Sequence, residues 1–214
     1  MSIETEVELE TDWGSSHNQG LRPTCLSFAL SDLNAWGHKL TVALSAEFLY
    51  RSAANLMGNW KPGMGLALSA ACAALALPGQ PDSLDCPYLT AEPVELPPTI
   101  PTIAGQFYAS TPSRVGPDQA TVLRVLRSGA PVGLIVRLTQ TFYTPVAGTI
   151  AHSDRVLKDA LCHVVIATGI GSNLASGDTV IRIRNSWGSS WGDQGSAWLP
   201  IEYVEAHAVA AFKV

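Results

Sequence analysis

Apolar residues follow helical spacing in the first part of the chain and shorter, strand-like runs in the last part. From residue 25 to about 36, Phe28, Leu33 and Trp36 line one face, which predicts a helix with Gly37 as its stop. Ser45 stands as an N-cap before a second helical run over 46–57, ended by Gly58. The Ala-rich stretch 64–77 makes a third helix; a bilayer span takes about 20 residues, so this one reads as a buried helix. Residues 1–20 read as an extended leading segment, and the proline-rich stretch 78–101 as a long connecting loop. Loops of that length are uncommon unless they are functional or packed along a surface. Past it, one more helix is expected over 118–127 with Gly129 after it. Around that helix lie β-branched, partly alternating runs at 131–138, 162–170, 179–187 and 206–214. Helices first and strands later predict an α+β architecture of two lobes, with the boundary near 100–115.

Composition narrows the class. The 214 residues suffice for a substantial core, in one large domain or two lobes. Apolar residues make up 47% and charged residues 14% of the chain, which argues against disorder. The net charge is −5 with no cluster of Lys or Arg, so nucleic acid is not an expected partner. The acidic first residues lack the basic and apolar regions of a signal peptide. Neither membrane association nor export is expected, and a cytoplasmic location is. The four cysteines, Cys25, Cys72, Cys86 and Cys162, then read as mostly free thiols. They form no CxxC or zinc-finger spacing, so no metal and no cofactor is expected.

Three segments carry candidate chemistry. In the first, Asn18-Gln19-Gly20-Leu21-Arg22-Pro23-Thr24-Cys25, a turn delivers a cysteine to the first turn of an apolar helix. The helix dipole and the N–H groups there favour a thiolate, as a sulfur nucleophile requires. A buried structural cysteine would look the same on this segment alone. In the second, Leu161-Cys162-His163-Val164, a histidine leads into a strand, suited to general acid–base work or to a structural role. None of His17, His38, His152 and His207 has an equally suggestive setting. The third is Asn185-Ser186-Trp187-Gly188-Ser189-Ser190-Trp191-Gly192-Asp193-Gln194-Gly195. Here Asn185 either orients an imidazole beneath the tryptophans or simply opens a turn.

Taken together, in this order and spacing, the segments resemble the papain-like cysteine peptidases. Asn18-Gln19-Gly20 with Cys25 and Ser27-Phe28-Ala29 is similar to that family's DQG…CWAFA segment. The run from Asn185 to Gly195 is similar to its NSWGxxWGxxG signature. Pro87-Tyr88 resembles its YPY element, and Gly63 and Gly65 its substrate strand. His163 and Asn185 lie at about the family's distance downstream of the cysteine.

The resemblance implies a two-lobed α+β fold. A helical lobe would span about 20–100 and a β-barrel-like lobe about 101–214, with 1–19 crossing to the latter and the active site in the cleft between them. It implies Cys25 as nucleophile, His163 as general base and acid, Asn185 as its orienting partner, and Gln19 with the Cys25 N–H as oxyanion donors. Met64, Gly65, Leu161 and Trp187 would border a peptide or protein substrate.

The sequence also departs from the pattern. Arg22 replaces the second cysteine of secreted members, Leu26 replaces a tryptophan, and Cys86 stands in for a tyrosine. Cys162, where Asp or Asn is common, reads as a small buried core residue. No propeptide is visible, as in stand-alone bacterial members, which leaves room for a protein partner or inhibitor as the restraint. The same four groups would also serve a thiol acyltransferase or deamidase. A non-catalytic binding protein of this fold is the remaining alternative.

Overall fold

The computed structural model describes residues 2–9, 13–157 and 162–214. By contacts the chain divides into two units, Met1–Asn18 with Arg114–Lys213, and Gln19–Ser113 with Val214.

The unit from Gln19 to Ser113 is built on three helices, α1 (Cys25–Gly37), α2 (Ala46–Leu56) and α3 (Leu68–Ala76). Helix α2 packs against both α1 and α3, burying Leu30, Leu33, Leu49, Ala53, Ala71 and Leu75. Ser45 caps α2 as its sequence predicts, its Oγ accepting from Phe48 N at 3.0 Å. Gly37 does not stop α1; the helix includes it, and the left-handed turn falls on Lys39, with φ 55°. Helix α3 is shorter than the pattern predicts, because 64–67 is not helical and Ala67 is extended.

The long loop stays in place through one buried glutamine. Gln80 Nε2 donates to Ser31 Oγ (2.6 Å) and Ser45 O (3.0 Å), and its Oε1 accepts from Asn34 Nδ2 (3.1 Å). Its backbone bridges to Tyr108, which ties residues as late as 108 to the helical unit. A loop that buries its polar groups must answer them this way.

The other unit is a sheet. Among the described residues its strands are β1 (Ile3–Glu8), β2 (Ser113–Val115), β3 (Val132–Val136), β4 (His163–Asn173), β5 (Thr179–Arg184), β6 (Ser196–Pro200) and β7 (Ala208–Lys213). They run in the order β2-β7-β3-β4-β5-β6, with β1 also on β4. Strand β4 is central. It pairs antiparallel with β5 on one side, and on the other with β3 over its first half and β1 over its second. Gly169 marks the place where β1 approaches; a Cβ there would lie 2.6 Å from Val7 O. Helix α4 (Gln119–Arg127), capped by Asp118, lies on β3 and β4. A short turn, α5 (Gln140–Tyr143), and a helix, α6 (Ile201–His207), complete the unit. The pattern of residues does not foretell either. The α+β class that it predicts is what the chain adopts.

Candidate active site

The loop that carries Cys25 belongs to the helical unit. Cys25 is the first residue of α1, in the turn whose N–H groups have no acceptor inside the helix. The preceding Thr24 caps with its backbone: Thr24 O accepts from Phe28 N (3.1 Å) and Ser27 Oγ (2.9 Å). Its hydroxyl is 2.9 Å from Tyr88 Oη instead. Gly20, at φ 61°, turns the chain so that the Gln19 amide folds back over the loop. Gln19 Nε2 donates to Arg22 O at 2.7 Å, and Thr24 N donates to the same carbonyl at 2.8 Å. The half-buried Cys25 sulfur therefore sits on a loop with its own internal bracing. Gly65, exposed, runs beside this loop with a Cβ position 3.9 Å from Pro23 O. Met64 turns its side chain onto Tyr50, Ala54 and Trp60, while its carbonyl accepts from Tyr50 Oη at 2.8 Å.

His163 and Asn185 belong to the sheet unit. His163 opens β4 opposite Val136 and is 5% exposed. Its Nε2 is 2.7 Å from Asn185 Oδ1. Ser186 N donates to that same oxygen at 2.8 Å, which fixes the amide's orientation. A carboxamide oxygen only accepts, so Nε2 carries the hydrogen and Nδ1 is the ring's basic nitrogen. Burial pushes the His163 pKa down to about 4, against the upward pull of the Asn185 hydrogen bond.

Aromatic rings roof this pair. Trp187 lies 4.6 Å from the imidazole and is stacked on Tyr143 at 5.1 Å. Phe142 lies 6.1 Å from the imidazole and 5.5 Å from Trp191, whose Nε1 donates to Phe142 O. Trp187 thus covers the histidine, with Trp191 behind it. With so little water near, the His163–Asn185 hydrogen bond is not diluted by competition.

The turn carrying Asn185 is held by the segment 13–18. Ser16 Oγ donates to Asn185 O (2.6 Å), and Gly188 N donates to His17 O (2.8 Å). The buried Arg184 donates to the carbonyls of Trp13, Gly14 and Ser15. At Gly195, φ 88°, a Cβ would collide with Ser16. No single residue signals this strap in the sequence. The glycines at 188, 192 and 195 are the nearest sign that something approaches closely.

Of the other residues named from the sequence, Leu161 lies outside the described residues. Cys162 is a correction, because it is exposed rather than a core residue. It precedes the strand, and only from His163 onward does β4 turn inward. Cys86 is buried, and burial raises its thiol pKa.

Comparison with known proteins bears on this arrangement. A family model described as papain family cysteine protease matches residues 102–208. Among solved structures, the chain is similar to xylellain, a cysteine protease from Xylella fastidiosa. That match has a TM-score of 0.77 at 21% identity and covers 100% of this chain and 87% of the other. It is also similar to a digestive procathepsin L 3 from the larval midgut of Tenebrio molitor. There the TM-score is 0.76 at 19% identity, over 97% of this chain and 68% of the other. At these identities the two structures show a shared fold.

Proposed function

Given that the chain belongs to the papain family of cysteine proteases, we propose that it hydrolyses peptide or protein amide bonds through a thioester on Cys25. In this reading the Cys25 thiolate attacks the amide carbonyl carbon, and the C=O π pair moves onto oxygen. The Gln19 side-chain amide and the Cys25 N–H receive that oxyanion; losing one such donor typically costs about 2.7–4 kcal/mol. Collapse breaks the C–N bond, and the leaving amine takes its proton from His163 Nδ1. Water then adds to the thioester, giving a proton to Nδ1, and the acid departs as the thiolate is restored.

The observation that carries this reading is the His163 Nε2–Asn185 Oδ1 hydrogen bond of 2.7 Å under Trp187. It commits one ring nitrogen to orientation and keeps the other for proton transfer. The low basicity of the buried ring fits a group that holds a proton only opposite an anion, as a thiolate is. Met64, Gly65 and Trp187 are the proposed substrate neighbours, with Leu161. A bacterial source and a reducing, cytoplasmic location are further parts of the proposal. The absence of a disulfide among the four cysteines, and Arg22 where secreted members of the family carry a cysteine, support them.

Labelling with a peptidyl epoxide, followed by mass mapping, tests the assignment. Modification at Cys25, abolished by Cys25→Ser, is expected; modification at Cys72, Cys86 or Cys162 alone would overturn it. Peptide-library profiling then separates the chemistries. Chain scission supports the peptidase, whereas side-chain deamidation without scission supports the alternative acyl chemistry. Fractionation of the source cells reads the location.

A further inference from the structure

The hydrolytic steps leave one buried charge cluster unused. Arg22 is 3% exposed, and a buried guanidinium is costly unless its charge is compensated. Its Nη1 donates to Glu47 Oε2 and to Leu89 O, and its Nε lies 3.5 Å from Glu92 Oε1. The Tyr50 and Tyr88 rings lie 5.0 and 4.9 Å from its carbon, one cation–π contact each. Glu47, 1% exposed, is held in turn by Arg51 at 2.7 Å and by Leu89 N. Nη1 and both faces of the cation are thus occupied, while Nε and Nη2 have no hydrogen-bond partner among the described residues.

The same residue's backbone faces the catalytic loop. Arg22 O is the acceptor for both Gln19 Nε2 and Thr24 N. Tyr88, against the guanidinium, donates to Gln19 O at 2.8 Å and meets the Thr24 hydroxyl. Tyr50, the second ring against the guanidinium, donates to Met64 O beside Gly65. One locked side chain is therefore linked to the plane of the Gln19 amide, to the start of α1 and to the segment at Met64.

We propose that Arg22 is a positioning residue for the Gln19 amide, its side chain clamped by Glu47, Glu92, Tyr50 and Tyr88 so that its carbonyl holds that amide where the oxyanion forms. The proposal rests on the reading of Gln19 as an oxyanion donor. It differs from a plain stabilising role in one respect. Disturbing Arg22 harms the step that builds an oxyanion, and spares the reactivity of the sulfur itself.

Two variants test it. Arg22→Met removes the guanidinium and strands Glu47, so Arg22→Met/Glu47→Gln, which restores the charge balance, is measured beside it. Each is assayed for kcat and KM on a peptide amide and for the rate of Cys25 alkylation by iodoacetamide. Alkylation displaces iodide at a carbon centre and builds no oxyanion, so it reads the thiol alone. The expected result is a kcat loss of about 100-fold in the folded variants, with KM and alkylation within about threefold of the parent. A folded variant whose kcat stays within about threefold overturns the proposal, as does a parallel fall in kcat and alkylation. A parent protein that alkylates at Cys25 yet cleaves no peptide amide overturns the proposed function, and this proposal falls with it.

Discussion

At His163 two influences act on one proton, and burial wins. The unfolded chain would titrate this histidine near 6.5, while in the folded protein, with no thiolate opposite it, the ring holds the proton only below about 4. Between those values the unfolded state binds more protons, so stability rises with pH across the window. It is fully present above 6.5 and is lost as pH falls toward about 4. The shift corresponds to about 3 kcal/mol. The check is urea unfolding of a Cys25→Ser protein, free of any thiolate, above and below the window. Adding His163→Gln to that background is expected to remove most of the dependence. Asn185 gives a second prediction at this scale. Asn185→Ala keeps the fold of the turn but frees the ring to rotate, and is expected to lower kcat about 100-fold with little change in KM. Steady-state kinetics on a peptide amide reads both.

Among the elements, β4 decides most. It carries His163 at one end and accommodates three strands, and at Gly169 the backbone of the third comes close. Gly169→Ala is expected to cost about 1–3 kcal/mol through the clash with Val7 O, measured as a lower urea midpoint with β1 proteolysed first. The legibility of the elements follows the same logic. Helices α1, α2 and α4 are legible because their apolar stripes, and for α2 the cap at Ser45, act locally. Strand β1 is legible only as part of an extended segment, because Thr5 is exposed like Glu4, Glu6 and Glu8 and only Ile3 and Val7 turn inward. Helix α6 escaped notice because its stripe, Ile201, Tyr203, Val204 and His207, spans barely two turns before β7. At the site, Gln19, Cys25, His163 and Asn185 stood out by spacing. The partners that hold them did not, because Arg22–Glu47, Tyr88–Gln19 and Ser16–Asn185 join residues far apart in the chain.

For the molecule as a whole, burial is uneven along the chain. Strand β4 is buried over Val164–Ile170 and bonded on both edges. The loop around Val94, Leu96 and Ile100 is exposed. Hydrogen-exchange mass spectrometry is expected to find the slowest amides in β4 and the fastest in residues 90–100, since local opening tracks buried contacts and backbone bonding. Uniform exchange across both would contradict this. The strap at residues 13–18 has a practical use of another kind. Its carbonyls serve the buried Arg184, and its serine and histidine hold the Asn185 turn, so it acts on the rest of the unit as a bound ligand does. A version cut after residue 18 becomes a receptor lacking its peptide, and a synthetic peptide of residues 1–18, which carries β1 as well as the strap, becomes the missing half. Tethering the two halves to a pair of interacting proteins raises their effective concentration, turning the strap into the switchable piece of a split-protease reporter.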